Sequence, residues 1–225
     1  GTMCLRTAKN ARDFVWRVKR ECGIPIEIIP GEEEARLAYL AVQSGLDLKK
    51  GKVMIFDTGG GSTEFIFGKD GEMERCFSLN VGAIRYTEDI LVSDPVTQEE
   101  LNQTVAAIED DLTDLHFDGT IDTLVGIGGV ITNLGAVKYQ LAVYDPDIIQ
   151  GSKLELAEID RQITLNQSKT LEERKKIVRL QPKRADAILA GAAIIRVIMK
   201  KTDIGTLTVS DRGLRHGVMF DRFNR

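Results

Sequence analysis

The feature that most constrains the fold is a run of sixteen residues, VMIFDTGGGSTEFIFG, from Val53 to Gly68. Two apolar stretches flank an aspartate and three glycines, which predicts two strands joined by a tight turn. Glycine lets the backbone approach a ligand, and successive amides in such a turn bind anions. An aspartate ending a buried strand there, Asp57, could hold Mg²⁺. The alternative is a plain hairpin with a glycine-rich turn.

Composition restricts the class of protein and its partners. The chain has 225 residues, 43% hydrophobic and 28% charged, which is the balance of a globular protein. Its net charge of −4 argues against general binding of DNA or RNA. No apolar stretch approaches the roughly 20 residues of a membrane span, and the polar start predicts no signal peptide. Three cysteines without metal-type spacing predict reduced thiols and a cytoplasmic location.

Hydrophobic periodicity predicts an α/β protein with a mixed sheet. The predicted strands are 25–29, 52–57, 63–67, 73–79, 122–129 and 205–210, with a hairpin turn at Asp70-Gly71. The predicted helices are 9–22, 32–45, 81–92, 97–116, 129–138, 156–180, 185–199 and 213–223. We expect the apolar faces of 9–22 and 185–199 to pack on the sheet. The region 140–182 is expected to be a helical insertion.

A second stretch, VGIGGVITNLGAV (125–137), again runs from a strand through glycines into a helix. The start of such a helix offers free amides and a positive dipole end. A tight strand–helix connection explains the same pattern. Paired with the first glycine turn, however, it could clamp one phosphorylated ligand.

The charged residues and the histidines indicate less about function. Glu32, Glu33 and Glu34 are favoured in the first turn of any helix, and periodicity singles out none of them. His116 and His216 lie in unrelated contexts, so a histidine-based metal site or catalytic triad is not expected. The basic run 174–184 indicates a solvated helix face or, alternatively, a binding site for a polyanion.

Seven segments together resemble one family, and they occur in that family's order. They are GTMCLRTAKNARDF, IPGEEEARLAYLAV, FDTGGGSTEFIFG, SLNVGAIRYTE, VGIGGVITNLGAV, QPKRADAILAGAAII and LTVSDRGLRHGV. The chain thus resembles the exopolyphosphatase and guanosine pentaphosphate phosphohydrolase family. The resemblance implies an actin-like, ribonuclease H-like α/β fold: a mixed sheet flanked by helices, with the inserted helical region.

The resemblance also implies roles for individual residues. Glu34, before Ala-Arg in GEEEAR, matches the catalytic base, and Asp57 and Glu64 match the Mg²⁺ carboxylates. The positions matching the two phosphate loops are Gly59, Gly60, Gly61, Ser62, Gly126, Gly128 and Gly129. Arg85 and Arg215 match characteristic arginines to which we assign no role.

The implied activity is Mg²⁺-dependent hydrolysis of terminal phosphoanhydride bonds in inorganic polyphosphate or guanosine pentaphosphate. The family begins with another lobe, so residues 1–30 match the end of that lobe and 31–225 match the second lobe. The chain alone is therefore expected to turn over little, and its exposed lobe face could promote a homodimer. The alternatives are a non-catalytic module that binds polyphosphate or an alarmone, and an actin-like kinase.

Overall fold

The computed structural model describes residues 1–117, 119–141 and 143–223 of the chain, and within these ranges six strands form one mixed sheet. The strands are β1 (Lys52–Thr58), β2 (Thr63–Lys69), β3 (Glu72–Leu79), β4 (Thr123–Ile127), β5 (Lys153–Glu155) and β6 (Thr206–Val209). Their order across the sheet is β3-β2-β1-β4-β6-β5. The first three strands form an antiparallel meander. β4 and β6 run parallel to β1, and β5 closes the far edge antiparallel to β6.

Helices cover both faces of the sheet. They are α1 (Met3–Thr7), α2 (Ala11–Cys22), α3 (Gly31–Gln43), α4 (Ala83–Asp89), α5 (Gln98–Asp111), α6 (Gly129–Tyr139), α7 (Pro146–Ile149), α8 (Leu156–Gln167), α9 (Leu171–Arg174), α10 (Ile188–Lys201) and α11 (Leu214–Phe223). α3 lies on one face, and α11 packs against α3. On the other face the buried helix α10 contacts α4, α5, α6 and α8. None of the helices within the described ranges is both long and apolar enough to span a membrane.

The central hairpin forms as predicted, because its strands are buried on both faces and its turn suits the residues. Val53 and Ile55 contribute to the core under α3, whereas Met54 and Phe56 belong to the larger core on the other face. Such two-sided burial explains the continuous apolar run. At the next turn Asp70-Gly71 adopts positive φ angles of 51° and 89°, which a two-residue hairpin loop requires.

The N-terminal region differs from the prediction. The expected strand 25–29 is wrong: residues 23–30 have no regular secondary structure. Pro25 and Pro30 lack the amide that a ladder needs, and no described strand lies beside the segment. Helix α2 does form, but it contacts α1 and does not pack on the sheet: only Ala11 of its apolar face is buried, and Phe14 is 49% exposed.

Three predicted helices are shorter in the structure or are divided. The helix expected at 97–116 ends at Asp111, and the one expected at 81–92 is limited to α4. The helix expected at 156–180 is divided into α8 and α9 and is followed by turns. The region 140–182 is also not wholly helical, since it contributes the three-residue strand β5 to the sheet. Its interpretation as an insertion stays a prediction.

Candidate active site

Three carboxylates converge at the edge of the sheet where β1 and β4 end and β2 begins. Asp57 lies opposite Glu64 in the antiparallel β1–β2 pair and beside Ile127 in the parallel β1–β4 pair. Glu34, in the first turn of α3, acts on Asp57 electrostatically. Burial, followed by the charges of Glu64 and Glu34, raises the pKa of the half-buried Asp57 carboxyl to about 7. The site therefore concentrates negative charge that a cation would relieve.

Glu64 is held in place by two hydroxyl groups. Its Oε1 accepts hydrogen bonds from Ser62 Oγ at 2.8 Å and from Ser78 Oγ at 2.9 Å. Ser78 lies opposite Glu64 because the β2–β3 register shifts between Phe67 and Gly68. Such a bulge moves every later residue by one position and exchanges the faces of the strand. The bulge thus places Ser78 beside the carboxylate.

Glu34 is oriented by an arginine from the N-terminal helix. Arg6 Nη1 lies 3.0 Å from Glu34 Oε2 and also donates to the Ile29 carbonyl at 2.8 Å. The two side chains border a cavity of about 200 Å³, together with Glu64 and Ser78. The cavity could therefore hold an attacking water between Glu34 and Glu64.

The structure separates Glu34 from its neighbour Glu33. Glu33 forms two 2.8 Å hydrogen bonds with Arg36, which lies 2.9 Å from Asp221 on α11. The Arg36 hydrogen bond holds the pKa of Glu33 below its ordinary value. Of these two residues, only Glu34 faces Asp57 and Glu64. The structure thereby distinguishes two glutamates that helical periodicity could not.

The first glycine loop, residues 59–62, is tightly fixed. The Gly59 amide donates to the Ser62 carbonyl at 2.8 Å, so the turn is closed by its own hydrogen bond. The carbonyls of Gly59 and Gly60 accept from the first amides of α4, those of Ala83, Ile84 and Arg85. Within the described residues, the amides of Gly60 and Gly61 have no acceptor. These two amides, and not that of Gly59, are available to an anion.

The second glycine loop reaches the same edge from β4. Gly128 has a φ of +97°, and a Cβ there would collide with Asp57 Oδ1. The loop leads directly into α6, whose first amides have no acceptor within the helix. Gly126 is different: it lies buried within β4, and a Cβ would collide with Ile131. The structure thus brings Gly128 and Gly129 to the site, whereas Gly126 serves packing.

Cationic residues accompany the second loop. A Cβ on Gly129 would lie 2.6 Å from Arg184 Nη2. Arg184 and Arg215 border a cavity of about 300 Å³ with both loop glycines, and His216 and Asp211 also line it. Arg85, by contrast, pairs with Asp111 on α5 at 2.9 Å and supports the packing of α4.

The donor set at the first loop suits Mg²⁺. Within the described ranges no three His, Cys, Asp or Glu side chains form a group that could hold a metal. Mg²⁺ commonly uses only one or two carboxylates and completes its shell with water and substrate phosphates. Asp57 and Glu64 offer such a pair, and their mutual repulsion would be relieved by the cation.

Comparison with known proteins identifies the family of the chain. The sequence matches the Ppx/GppA phosphatase family over residues 1–225. The chain belongs to the Ppx/GppA phosphatase family. A Ppx/GppA family member of Aquifex aeolicus, of known crystal structure, is similar with a TM-score of 0.88 and 38% identity, over 98% of this chain and 71% of that chain. The family resemblance and the α/β fold with a mixed sheet flanked by helices, both inferred from sequence, are confirmed.

Relatives within the Ppx/GppA family carry two kinds of name. Exopolyphosphatase 2 of Mycobacterium tuberculosis is 29% identical over 203 residues, covering 87% of this chain and 63% of the relative. The guanosine-5′-triphosphate,3′-diphosphate pyrophosphatase of Photobacterium profundum is 29% identical over 231 residues, covering 100% of this chain and 44% of the relative. The chain thus spans less than two thirds of either relative's length.

Some site residues carried no assigned role at the level of sequence. Arg6 lies 28 positions before Glu34, and no local pattern links an arginine to a glutamate at that distance. Ser78 depends on a bulge that the hairpin turn alone does not reveal. Arg184 belonged to the basic run, which indicated charge but not contact with the second glycine loop.

Proposed function

We propose that the protein hydrolyses terminal phosphoanhydride bonds of inorganic polyphosphate or guanosine pentaphosphate with the help of Mg²⁺. The observation that carries the proposal is the convergence of Glu34, Asp57 and Glu64 beside two glycine loops. The names of the two relatives, one an exopolyphosphatase and one a guanosine pentaphosphate-type pyrophosphatase, support the same chemistry.

We assign the following roles to the residues of the site. Glu34, oriented by Arg6, holds the attacking water and accepts its proton. Asp57 and Glu64 would hold Mg²⁺, which when bound neutralises charge on the phosphoryl oxygens. The amides of Gly60 and Gly61 and the first turn of α6 donate to the phosphate groups. Positioning and electrostatics dominate such transfers, so this arrangement accounts for catalysis without a covalent intermediate on the protein.

On this proposal the chain supplies one lobe of a two-lobe core. The exposed Phe14 and Trp16 of α2 are consistent with a further lobe that covers them, as is the share of the relatives' length that the chain spans. Closure of a second lobe would add phosphate donors and exclude water. The isolated chain is therefore expected to bind substrate and release phosphate slowly.

The test compares two adjacent glutamates in the longest protein that the gene encodes. Phosphate release from polyphosphate and from guanosine pentaphosphate is measured with Mg²⁺ for the unaltered protein, Glu34→Gln and Glu33→Gln. We expect Glu34→Gln to lower kcat by about 10²–10⁴, the usual contribution of a general base. Glu33→Gln, the matched control, should stay within about threefold, since Glu33 pairs with Arg36 away from the site.

Other outcomes would replace the proposal. Activity retained in Glu34→Gln would remove Glu34 as the base. Tight binding of polyphosphate or the alarmone without any phosphate release would indicate the non-catalytic module. Incubation with ATP and candidate acceptors completes the test, because a phosphorylated acceptor would indicate a kinase.

A further inference from the structure

A strip of exposed cations leads away from the second glycine loop. Between Lys175 and Arg184 the chain carries no acidic residue, although its net charge is −4. The exposed cations of this strip are Lys175, Lys176, Arg179, Lys183 and Arg184. Of these five cations, Lys175 alone forms a salt bridge within the described residues, with Glu172. Glu173 also faces the start of the strip and feels the charge of Lys176. Arg179, Lys183 and Arg184 form no salt bridge with any residue that the structure describes.

The strip is not the solvated face of a helix. Helix α9 ends at Arg174, and turns follow up to the short 3₁₀ segment Pro182–Arg184. Arg179 has a φ of +76°, a left-handed conformation that is uncommon for a residue with a side chain. The interpretation as a regular helix face is therefore wrong for this segment. The irregular backbone keeps the cations on the outside while Leu180 is buried.

A buried asparagine ties the strip to the second glycine loop. Asn133 is only 2% exposed; its Nδ2 donates to the Gly129 carbonyl at 2.7 Å and its Oδ1 accepts from the Gln181 amide at 2.9 Å. Arg184 then lies against Gly129, beside the cavity that Arg215 also borders. The end of the strip is thereby fixed at the mouth of the phosphate site.

We propose that Lys176, Arg179 and Lys183 bind the distal phosphate groups of an inorganic polyphosphate chain whose end occupies the glycine loops. This inference rests on the proposed function and deepens it, because it selects long polyphosphate over short phosphorylated ligands. A flexible polyanion with one charge per unit gains affinity from each cation it meets through counterion release. A short ligand held by the loops alone does not need these three side chains.

The experiment measures binding of tripolyphosphate and of a long polyphosphate chain to the 225-residue protein. The variant is Lys176→Gln/Arg179→Gln/Lys183→Gln. A matched control removes three exposed lysines elsewhere, Lys49→Gln/Lys50→Gln/Lys201→Gln. We expect the strip variant to bind long polyphosphate about tenfold more weakly and to lower the slope of log K on log salt by about two. Its affinity for tripolyphosphate and the behaviour of the control should be unchanged.

The remaining outcomes overturn the inference in distinguishable ways. Unchanged binding of long polyphosphate, or an equal loss in the control, would mean that the strip contributes only general charge. An equal loss for tripolyphosphate would place these residues in the phosphate site itself. Binding of single-stranded RNA as tightly as polyphosphate would indicate a nucleic-acid surface instead. If the unaltered protein binds neither tripolyphosphate nor long polyphosphate, the proposed function fails together with this inference. If it binds both, the strip variant tests this inference alone.

Discussion

The two glycine loops lie at the same edge of the sheet and differ most in the charge beside them. The first loop is flanked by the carboxylates Asp57 and Glu64. The second also approaches Asp57 through Gly128, but its Gly129 lies against Arg184 and near Arg215. A ligand between the loops would therefore meet a cation-binding side and an anion-binding side. We therefore expect similar glycine patterns to serve different electrostatic purposes in the two loops.

The loops also use their backbones differently. The first joins two antiparallel strands, and its carbonyls are bound by the amides at the start of α4. The second joins β4 to α6, so the unpaired amides belong to the helix and carry its positive dipole end. We therefore expect the first loop to support the carboxylates, and the second to donate the stronger hydrogen bonds to an anion.

The largest expected effect comes from adding one methyl group to each loop in turn. Gly128→Ala forces a side chain into a positive φ and against the Asp57 carboxylate, so we expect a loss of about 2–4 kcal/mol in unfolding free energy. Gly59→Ala meets only the Ser62 carbonyl, at 3.1 Å, and should cost about 1 kcal/mol or less. Urea unfolding of both variants measures the difference. Equal losses would mean that the two loops are equally constrained.

The second prediction concerns pH and the carboxylate side alone. The pKa of Asp57 is raised from 3.8 to about 7, so between those values the folded chain keeps a proton that the unfolded chain has released. Stability without metal should therefore fall as pH rises from about 4 to 7 and then level off. Asp57→Asn should remove this fall and be more stable at pH 8 by about 2–4 kcal/mol.

Unfolding curves measured in a chelator from pH 4.5 to 8 would check this expectation. The exposed Asp147→Asn serves as the control, because it lies on α7 away from the site. If Asp57→Asn had the same pH dependence as the unaltered protein, a raised pKa of Asp57 would be contradicted.

The smallest expected effect is that of Ser78→Ala, which removes one of two hydroxyl donors to Glu64. Loss of such a supporting hydrogen bond typically weakens metal binding, here by about tenfold. Phosphate binding by the second loop should not change. Calorimetry with Mg²⁺ measures the effect, and Ser168→Ala, whose hydroxyl donates to the Leu165 carbonyl, is the control. An equal loss in both variants would indicate a general effect on stability.

Much of the first loop could be predicted from the sequence because its signals are local. The apolar runs and the Asp70-Gly71 turn define three adjacent strands, and they bring Asp57 opposite Glu64. The second loop was predicted as strand, turn and helix for the same reason. What the sequence could not supply were contacts between distant segments, such as Arg6 with Glu34 and Asn133 with Gln181.

Two errors have a physical cause as well. The segment 25–29 has strand-like residues, but a strand needs a neighbour, and the described sheet offers it none. Strand β5 has only three residues, too few to show an alternating pattern, and forms because β6 offers a free edge. The bulge that aligns Ser78 with Glu64 is likewise a property of pairing, not of either strand alone.

The most direct test of the two-sided site is to measure Mg²⁺ and tripolyphosphate binding separately in Asp57→Asn and Arg184→Gln. Calorimetry of each ligand alone gives four affinities to compare with those of the unaltered protein. We expect Asp57→Asn to weaken Mg²⁺ by about tenfold or more and to leave metal-free tripolyphosphate binding intact. Arg184→Gln should do the reverse. If both variants weaken both ligands equally, or if Asp57→Asn leaves Mg²⁺ affinity unchanged, the division into a cation side and an anion side is wrong.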